Sequence, residues 1–439
     1  MRTALRTAAG TGLVSATTLL LAGCTTLTAS AQLTTVPAAP TSRAQVTAQP
    51  AGPGKVRPDT KVIVTASNGQ LSTVSVTGPK GRQLRGTFST DGSTWTADDS
   101  ALDYGTTYSV QATAVDSRGV PVQAQESFTT DEPSATFSAT VTPEQGTVVG
   151  VGTPIVVAFD HDIRPAQRAD VERALVVRTS TPIVGAWSWT GPREVRFRPV
   201  NYWPGHMQVQ VQTALTGVEG APGVFGAGTA TTSFATGPAT VIKVDAQTHK
   251  AQVWTDGVKV RTIPVTTGKP GFDTRSGTVI ITTKEPTRIM DAATGGTDPT
   301  DPEYYRIEVH YAMRITSSGE FLHAAPWSVY AQGRANVSHG CIGMSTDNAA
   351  WLFDHANLGD VVEITGTPVP QNLGNGVTVW QNTWDEWLVD SKAGSVATQP
   401  LDPDIPPVAE TSAARTDTAP APSASASASA SASGSSITG

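Results

Sequence analysis

The sequence predicts a mainly β chain built from several modules, and three observations predict it. Charged residues make up only 15% of the 439 positions, and Gly (41) and Pro (31) are frequent. Short β-branched or aromatic runs recur between Gly, Asn, Asp and Pro, as they do in strands joined by tight turns. The length exceeds what one compact core usually serves, so two to four modules are expected. A formal net charge of −7 with no basic stripe argues against nucleic acid as a partner.

In chain order, Arg2 and Arg6 precede an apolar stretch, Gly12 to Ala22, that is short for a bilayer span. It ends in Leu21-Ala22-Gly23-Cys24, which resembles the bacterial lipobox, where the cysteine sulfur carries a diacylglycerol. Residues 1–23 therefore read as a lipoprotein signal peptide and Cys24 as the lipidation site; a plain signal peptide that contains a cysteine is the bland alternative. Residues 24–55 hold few large apolar side chains and read as a flexible tether. The expected location is the outer face of the cytoplasmic membrane, lipid-anchored and extending into the cell wall.

Residues 56–131 and 132–237 repeat an order of features. Tyr104-Gly105 followed by Tyr108, Val110 and Ala112 parallels Trp203-Pro204-Gly205 followed by Met207, Val209 and Val211. The stretches close on Ser127-Phe128-Thr129-Thr130 and Ser233-Phe234-Ala235-Thr236. Two immunoglobulin-like β-sandwiches are the expected fold, with Asn68-Gly69 and Asp91-Gly92 as hairpin turns. Residues 238–366 form a third, β-rich module. Strands are expected at Val241 to Val244, Lys250 to Trp254, Val258 to Val265, Thr278 to Thr283 and Val361 to Ile364, with Asp256-Gly257 as a turn. One main helix is expected over Ser345 to Asn357, where Ala349, Leu352, Phe353 and Ala356 fall at helical spacing. In residues 367–392, Trp380, Trp384 and Trp387 would share a helix face and pack back onto the third module, or else offer a carbohydrate platform. Residues 393–439 end in alternating Ser-Ala and read as a disordered tail.

With Cys24 consumed by an anchor, Cys341 is a lone thiol that needs a reason. It lies in Ser338-His339-Gly340-Cys341, downstream of His323. Only the thiolate is a nucleophile, and a nearby imidazole can ionise it, so an ionised sulfur beside an imidazole is the expected state. His323 comes from another segment and suits a general base. His339, two residues from the cysteine, would share its face on an extended strand. Amides near Gly340 and Cys341 could point at a developing oxyanion. Cysteine with two histidines is also a zinc-ligand set, but no CxxC, HExxH or carboxylate cluster completes one. No metal and no cofactor is predicted.

The run from His323 to Ser338-His339-Gly340-Cys341 resembles the signature of bacterial L,D-transpeptidases, cysteine enzymes with a YkuD-type catalytic domain. The paired sandwiches resemble the actinobacterial, mycobacterial-type members. The resemblance implies that Cys341 attacks the carbonyl of meso-diaminopimelate in a tetrapeptide stem and releases D-alanine. A second stem's side-chain amine then resolves the thioester into a 3→3 cross-link. It implies His323 as proton shuttle, with the Ala324 carbonyl orienting its ring, and Ser338, His339 and Gly340 as further members of the catalytic motif. Tyr305, Met290, Ser318, Gly319 and Trp327 match positions that line or cap the donor pocket. Gly343 stands where relatives often carry a substrate-contacting asparagine. Donor and acceptor stems are the expected partners, a monomer the expected state and carbapenem sensitivity an expected property. An L,D-carboxypeptidase of the same chemistry and a non-catalytic wall-binding lipoprotein are the alternatives.

Overall fold

The computed structural model describes residues 40–98 and 102–409. Cys24, the signal stretch and the Ser-Ala run lie outside the described residues. Among the described residues, no helix is long and apolar enough to cross a membrane.

The first sandwich packs two four-stranded sheets. One runs Gln45–Gln49, Ile63–Ser67, Thr94–Ala97 and Gly86–Phe88 in spatial order; the other runs Lys55–Val56, Pro121–Thr130, Thr107–Asp116 and Gly69–Thr77. Strand Thr107–Asp116 buries every second residue, the period-2 pattern of a sheet with one face inward. Tyr108, Val110, Ala112 and Ala114 meet Val64, Trp95 and Phe128 in the core. The tether boundary needs correcting, because Gln45–Gln49 pairs antiparallel with Ile63–Ser67 from inside residues 24–55. Alternation of Val46 and Ala48 over five residues suffices for an edge strand, although composition alone reads as linker.

The second sandwich has two five-stranded sheets with Phe137, Ile155, Trp187, Phe197, Trp203 and Phe234 between them. Each sheet is completed by a short strand from beyond residue 393: Val396–Ala397 pairs with Val184–Trp189, and Gln399–Pro400 pairs with Leu175–Thr179. Two glutamines extend the attachment. Gln210 accepts from the Asp402 amide at 2.8 Å and donates to its carbonyl at 3.3 Å, and Gln208 treats Val408 likewise at 2.8 and 3.0 Å. The expected disordered tail is thus an ordered strap as far as residue 409. Amide side chains here do for a proline-rich chain what a ladder would do for an ordinary strand.

The third domain holds a five-stranded sheet, ordered Val258–Pro264, Lys250–Thr255, Thr240–Asp245, Val361–Thr365 and Gly277–Ile280. It also holds a four-stranded sheet of Thr283–Asp291, Arg306–Arg314, Phe321–Ala324 and Ile342–Met344. Asp256 (φ 49°) and Gly257 (φ 78°) make the hairpin turn that needs two left-handed residues. Helix Thr346–His355 is capped by Ser345 Oγ, which accepts from the Asn348 amide at 3.3 Å, and buries Ala349, Leu352 and Phe353. Full burial of Leu352 contributes about 2 kcal/mol.

The three tryptophans pack on the second sandwich rather than on the third domain expected for them, while Gln371, Gln381 and Asn375 of the same segment bond to Ser276, Thr278 and Ser318 of the third domain. Helix Trp384–Val389 starts with a capping box between Thr383 and Glu386. The Arg198 guanidinium lies 4.9, 5.3 and 5.0 Å from the ring centroids of Trp380, Trp384 and Trp387. Trp387 Nε1 donates to Ala186 O and Trp380 Nε1 to Gly152 O, at 3.0 and 2.7 Å. A buried cation selects this partner, since three indole faces offer it the negative side of their quadrupoles. Second and third domains also meet at Gly150 and Gly152, whose amides donate to Leu358 O and Gly359 O at 2.6 and 2.9 Å. A Cβ on Gly150 would fall 2.0 Å from the Asp360 nitrogen, so only glycine permits that approach.

Candidate active site

The four-stranded sheet of the third domain builds the site. Strands Phe321–Ala324 and Ile342–Met344 pair in parallel, with His323 opposite Gly343. Cys341 stands just before strand Ile342–Met344, at the end of the bend that leads into it. Both side chains open on one cavity of about 290 Å³, the low end of the range for ligand pockets. Met290, Tyr305, Trp327, Ser338, His339 and Gly343 line it too.

Each side chain has a defined hold. His323 Nδ1 lies 2.8 Å from the Ala324 carbonyl. The proton therefore sits on Nδ1, and Nε2 carries the free lone pair. The Trp327 ring stacks on His323 at 6.1 Å. Around the sulfur, Met290, Val309, Ala312 and Phe321 form an apolar cluster, and Cys341 Sγ lies 3.7 Å from Gly319 O. Ser338 Oγ donates to Cys341 O at 2.6 Å and accepts from the Gly340 amide at 3.2 Å. Gly340 itself sits at φ 116°, a conformation that side chains rarely tolerate.

The ionisation state differs from the expected one. Burial pushes the Cys341 thiol up to about 12; the Phe321 amide opposes this, the Glu320 carboxylate adds to it and Arg314 relieves part of it. Burial also pushes His323 below its ordinary value of 6.5, and the Ala324 carbonyl offsets only part. The resting pair is a neutral thiol and a neutral imidazole, because an apolar sheet face penalises separated charge. Proton transfer between neutral partners is the kind of step that general-base catalysis uses.

His339 is held differently from the shared-strand expectation. Residues 339–341 form a bend, with the positive φ at Gly340 between them. His339 Nε2 lies 2.7 Å from Glu303 Oε2, the oxygen that Lys269 Nζ also reaches at 2.6 Å. Its ring packs between Phe272 and Tyr305, at 4.7 and 5.0 Å. Glu303 belongs to the loop between Thr283–Asp291 and Arg306–Arg314, so the contact ties that loop to the cysteine motif. Sequence reasoning missed Glu303 and Lys269, which are separated from His339 by 36 and 70 positions and carry no motif of their own.

Ser318 and Gly319 are not among the residues that line the cavity, although Gly319 O lies 3.7 Å from the sulfur. The Ser318 amide donates to Asn375 Oδ1 at 2.8 Å, and Asn375 Nδ2 donates to Ser318 Oγ at 3.0 Å. The segment after residue 366 thereby steadies the loop whose Gly319 carbonyl faces the thiol. Gly343 has no room for a side chain: a Cβ would fall 2.9 Å from Ala325 Cβ and 3.2 Å from Thr266 Cγ2.

Comparison with known proteins agrees with this architecture. The bacterial Ig domain family matches residues 54–219, and the L,D-transpeptidase catalytic domain family matches residues 239–364. L,D-transpeptidase 2 of Mycobacterium tuberculosis is 36% identical over 330 residues, covering 75% of this chain and 80% of the relative. L,D-transpeptidase 5 of the same organism is 33% identical, with 79% and 76% covered. L,D-transpeptidase 1, also from that organism, is 39% identical over 228 residues, with 52% and 84% covered. A likeness that runs through sandwich and catalytic domain alike, over a pocket that holds one cysteine and two histidines, means that the chain belongs to the L,D-transpeptidases.

Proposed function

We propose that this L,D-transpeptidase joins peptidoglycan stems in 3→3 linkage through a thioester on Cys341. The observation that carries the reading is the shared cavity: a thiol and an imidazole open on it, with Nδ1 of the imidazole fixed on the Ala324 carbonyl. As Sγ bonds to the diaminopimelate carbonyl carbon of a tetrapeptide stem, its proton passes to His323 Nε2. Collapse of the tetrahedral intermediate breaks the C–N bond, and His323 returns the proton to the departing D-alanine amine. A neutral side-chain amine of a second stem then attacks the thioester, gives a proton to His323 and releases the thiolate, which takes that proton back. A cavity of about 290 Å³ suits one stem end, so the acceptor follows the leaving group. The strained lactam carbonyl of a carbapenem offers the same thiol an equivalent target.

Mass spectrometry of the enzyme with a disaccharide-tetrapeptide tests this reading. The expected products are an adduct on Cys341 and cross-linked dimers, both absent from Cys341→Ala. Tripeptide as sole product would replace transfer by hydrolysis, and dimers made by Cys341→Ala would remove the thiol from the mechanism.

We place the monomeric enzyme on the outer face of the cytoplasmic membrane, with Cys24 diacylated. Two acyl chains hold stably where one does not, and residues 25–40, if fully extended, would reach about 55 Å towards the wall; from Thr41 to Ala44 the chain is already bonded to the first sandwich. Cys24→Ser should release the protein from membranes; retention there would reject the anchor.

A further inference from the structure

Behind the nucleophile lies a carboxylate that the thiol and imidazole do not account for. Glu320 immediately precedes strand Phe321–Ala324 and is 5% exposed. Its Oε1 accepts from the Arg275 amide at 3.1 Å and from the Arg275 guanidinium at 3.2 Å. Its Oε2 is buried without a hydrogen-bond partner among the described residues. A Cβ on Gly340 would lie 3.8 Å from Glu320 Cγ and 3.9 Å from Oε1, so this carboxylate backs directly on the glycine before the nucleophile. From the neighbouring position, Thr274 Oγ1 donates to Gly340 O at 2.7 Å and accepts from the Gly268 amide at 2.9 Å. Residues 274 and 275 thus couple the carboxylate to the turn that presents the sulfur.

An anion in this position carries a desolvation cost that an apolar side chain would avoid, and burial does raise the Glu320 pKa. The Arg275 amide and guanidinium offset part of that cost, and they hold the carboxylate against the Gly340 turn. The charged and titratable groups around the sulfur are Glu320 with its partner Arg275, Arg314 and Arg288 over the Phe321 ring, and Tyr305, His323 and His339. Of these, Glu320 is the acid whose field opposes a thiolate. Thiolate is also the readily oxidised form of cysteine.

We propose that Glu320 is a positioning residue for the nucleophile: through Arg275 and Thr274 it braces the Gly340–Cys341 turn, and its charge keeps Cys341 a thiol until His323 withdraws the proton. This deepens the acyl-transfer reading and rests on it. Cys341 in the resting enzyme is therefore held mostly as the thiol, slow to alkylate below its own titration range, and becomes fully nucleophilic once a carbonyl is in place and His323 takes the proton.

Alkylation of Cys341 by iodoacetamide, followed by intact mass from about pH 6 to about pH 10, reads the ionisation of the sulfur without any substrate. Glu320→Gln should alkylate at least about threefold faster than wild type at a given pH below the thiol's range, equal to about half a pKa unit. Glu320→Asp keeps the charge and should follow the wild-type profile while carbapenem acylation slows. Thr274→Val should also slow acylation with the alkylation profile unchanged. A Glu320→Gln profile that superimposes on wild type overturns the electrostatic role, and so does a Glu320→Asp profile shifted equally far. If Glu320→Gln does not fold, unimpaired acylation in both Glu320→Asp and Thr274→Val overturns the positioning role. Failure of the transpeptidation reading would look different, since wild type would then form no cross-linked dimers while the alkylation shift persisted.

Discussion

Arg198 decides whether the tryptophan segment is a clasp or a loose appendage. Its guanidinium is 3% exposed, faces three indoles at about 5 Å and donates to Asn382 O at 2.9 Å and Thr383 O at 3.3 Å. Each desolvated cation–π contact contributes about 1–2 kcal/mol, and the two hydrogen bonds from a charged donor add about 3 kcal/mol together. Against this, burial lowers the Arg198 pKa to about 10, a penalty of about 3 kcal/mol on the charged form, and Nε lies buried without a partner among the described residues. The surplus is about 3–6 kcal/mol. Arg198→Ala forfeits it and leaves a cavity between three rings, so it should destabilise the clasp by at least about 3 kcal/mol. Arg198→Met loses the charge together with its desolvation and fills most of the space, so it should cost about 1 kcal/mol. Denaturant unfolding followed by tryptophan emission, with limited proteolysis of residues 367–395, measures both variants. Because Asn375 in that segment holds Ser318, Arg198→Ala should also slow acylation of Cys341. Equal destabilisation by the two substitutions would refute the cation as the organising element.

Two pH dependences follow from the buried titratable groups. His323 is displaced below 6.5, so it stays an unprotonated base into mildly acidic solution. The acid limb of the acylation rate should therefore fall below the ordinary imidazole range, with a plateau from there to the alkaline region; a limb centred above 6.5 in a pH–rate profile would contradict the neutral pair. Asp360, fully buried where the second and third domains meet, is pushed up to about 8 by burial, against the Asn357 amide and Lys284 that lower it. Folded, it keeps its proton to about pH 8; unfolded, it releases it near 3.8. Between these values the folded chain binds more protons, so this group's contribution to stability falls as pH rises through that window. Asp360→Asn should flatten the pH dependence of the melting temperature between about 5 and about 8, and parallel slopes for variant and wild type would count against it.

Much of the fold was legible because it depends on local pattern. Alternation at Tyr108, Val110 and Ala112 marks a half-buried strand whatever lies across from it, and Asp256-Gly257 marks its turn through backbone sterics alone. What failed was the choice of partner. Trp380, Trp384 and Trp387 announce a buried face, but their counterpart is a single arginine more than 180 positions earlier. The strap after residue 393 depends on Gln208 and Gln210, which a polar-versus-apolar reading assigns to solvent. Gly150 and Gly152 look like ordinary loop glycines until the domain contact gives them a reason.

The site shows the same division more sharply. A motif can nominate Cys341 and His323, because thiol chemistry needs those groups. Their charge state depends instead on how much water the surrounding sheet removes, and that is set by Val309, Ala312 and Phe321, residues with no functional signature. The sheet that carries the site was itself missed: strands Thr283–Asp291, Arg306–Arg314, Phe321–Ala324 and Ile342–Met344 interleave apolar residues with the very side chains that chemistry recruits, which obscures the strand pattern. The reasoning that expected an ionised sulfur took proximity of an imidazole as sufficient. In an apolar setting proximity stabilises an ion pair only if the pair's attraction exceeds the desolvation of both members, and burial opposes the charged form of Cys341 and of His323 alike. Neutral partners that exchange a proton only as a carbonyl arrives are what such a site favours.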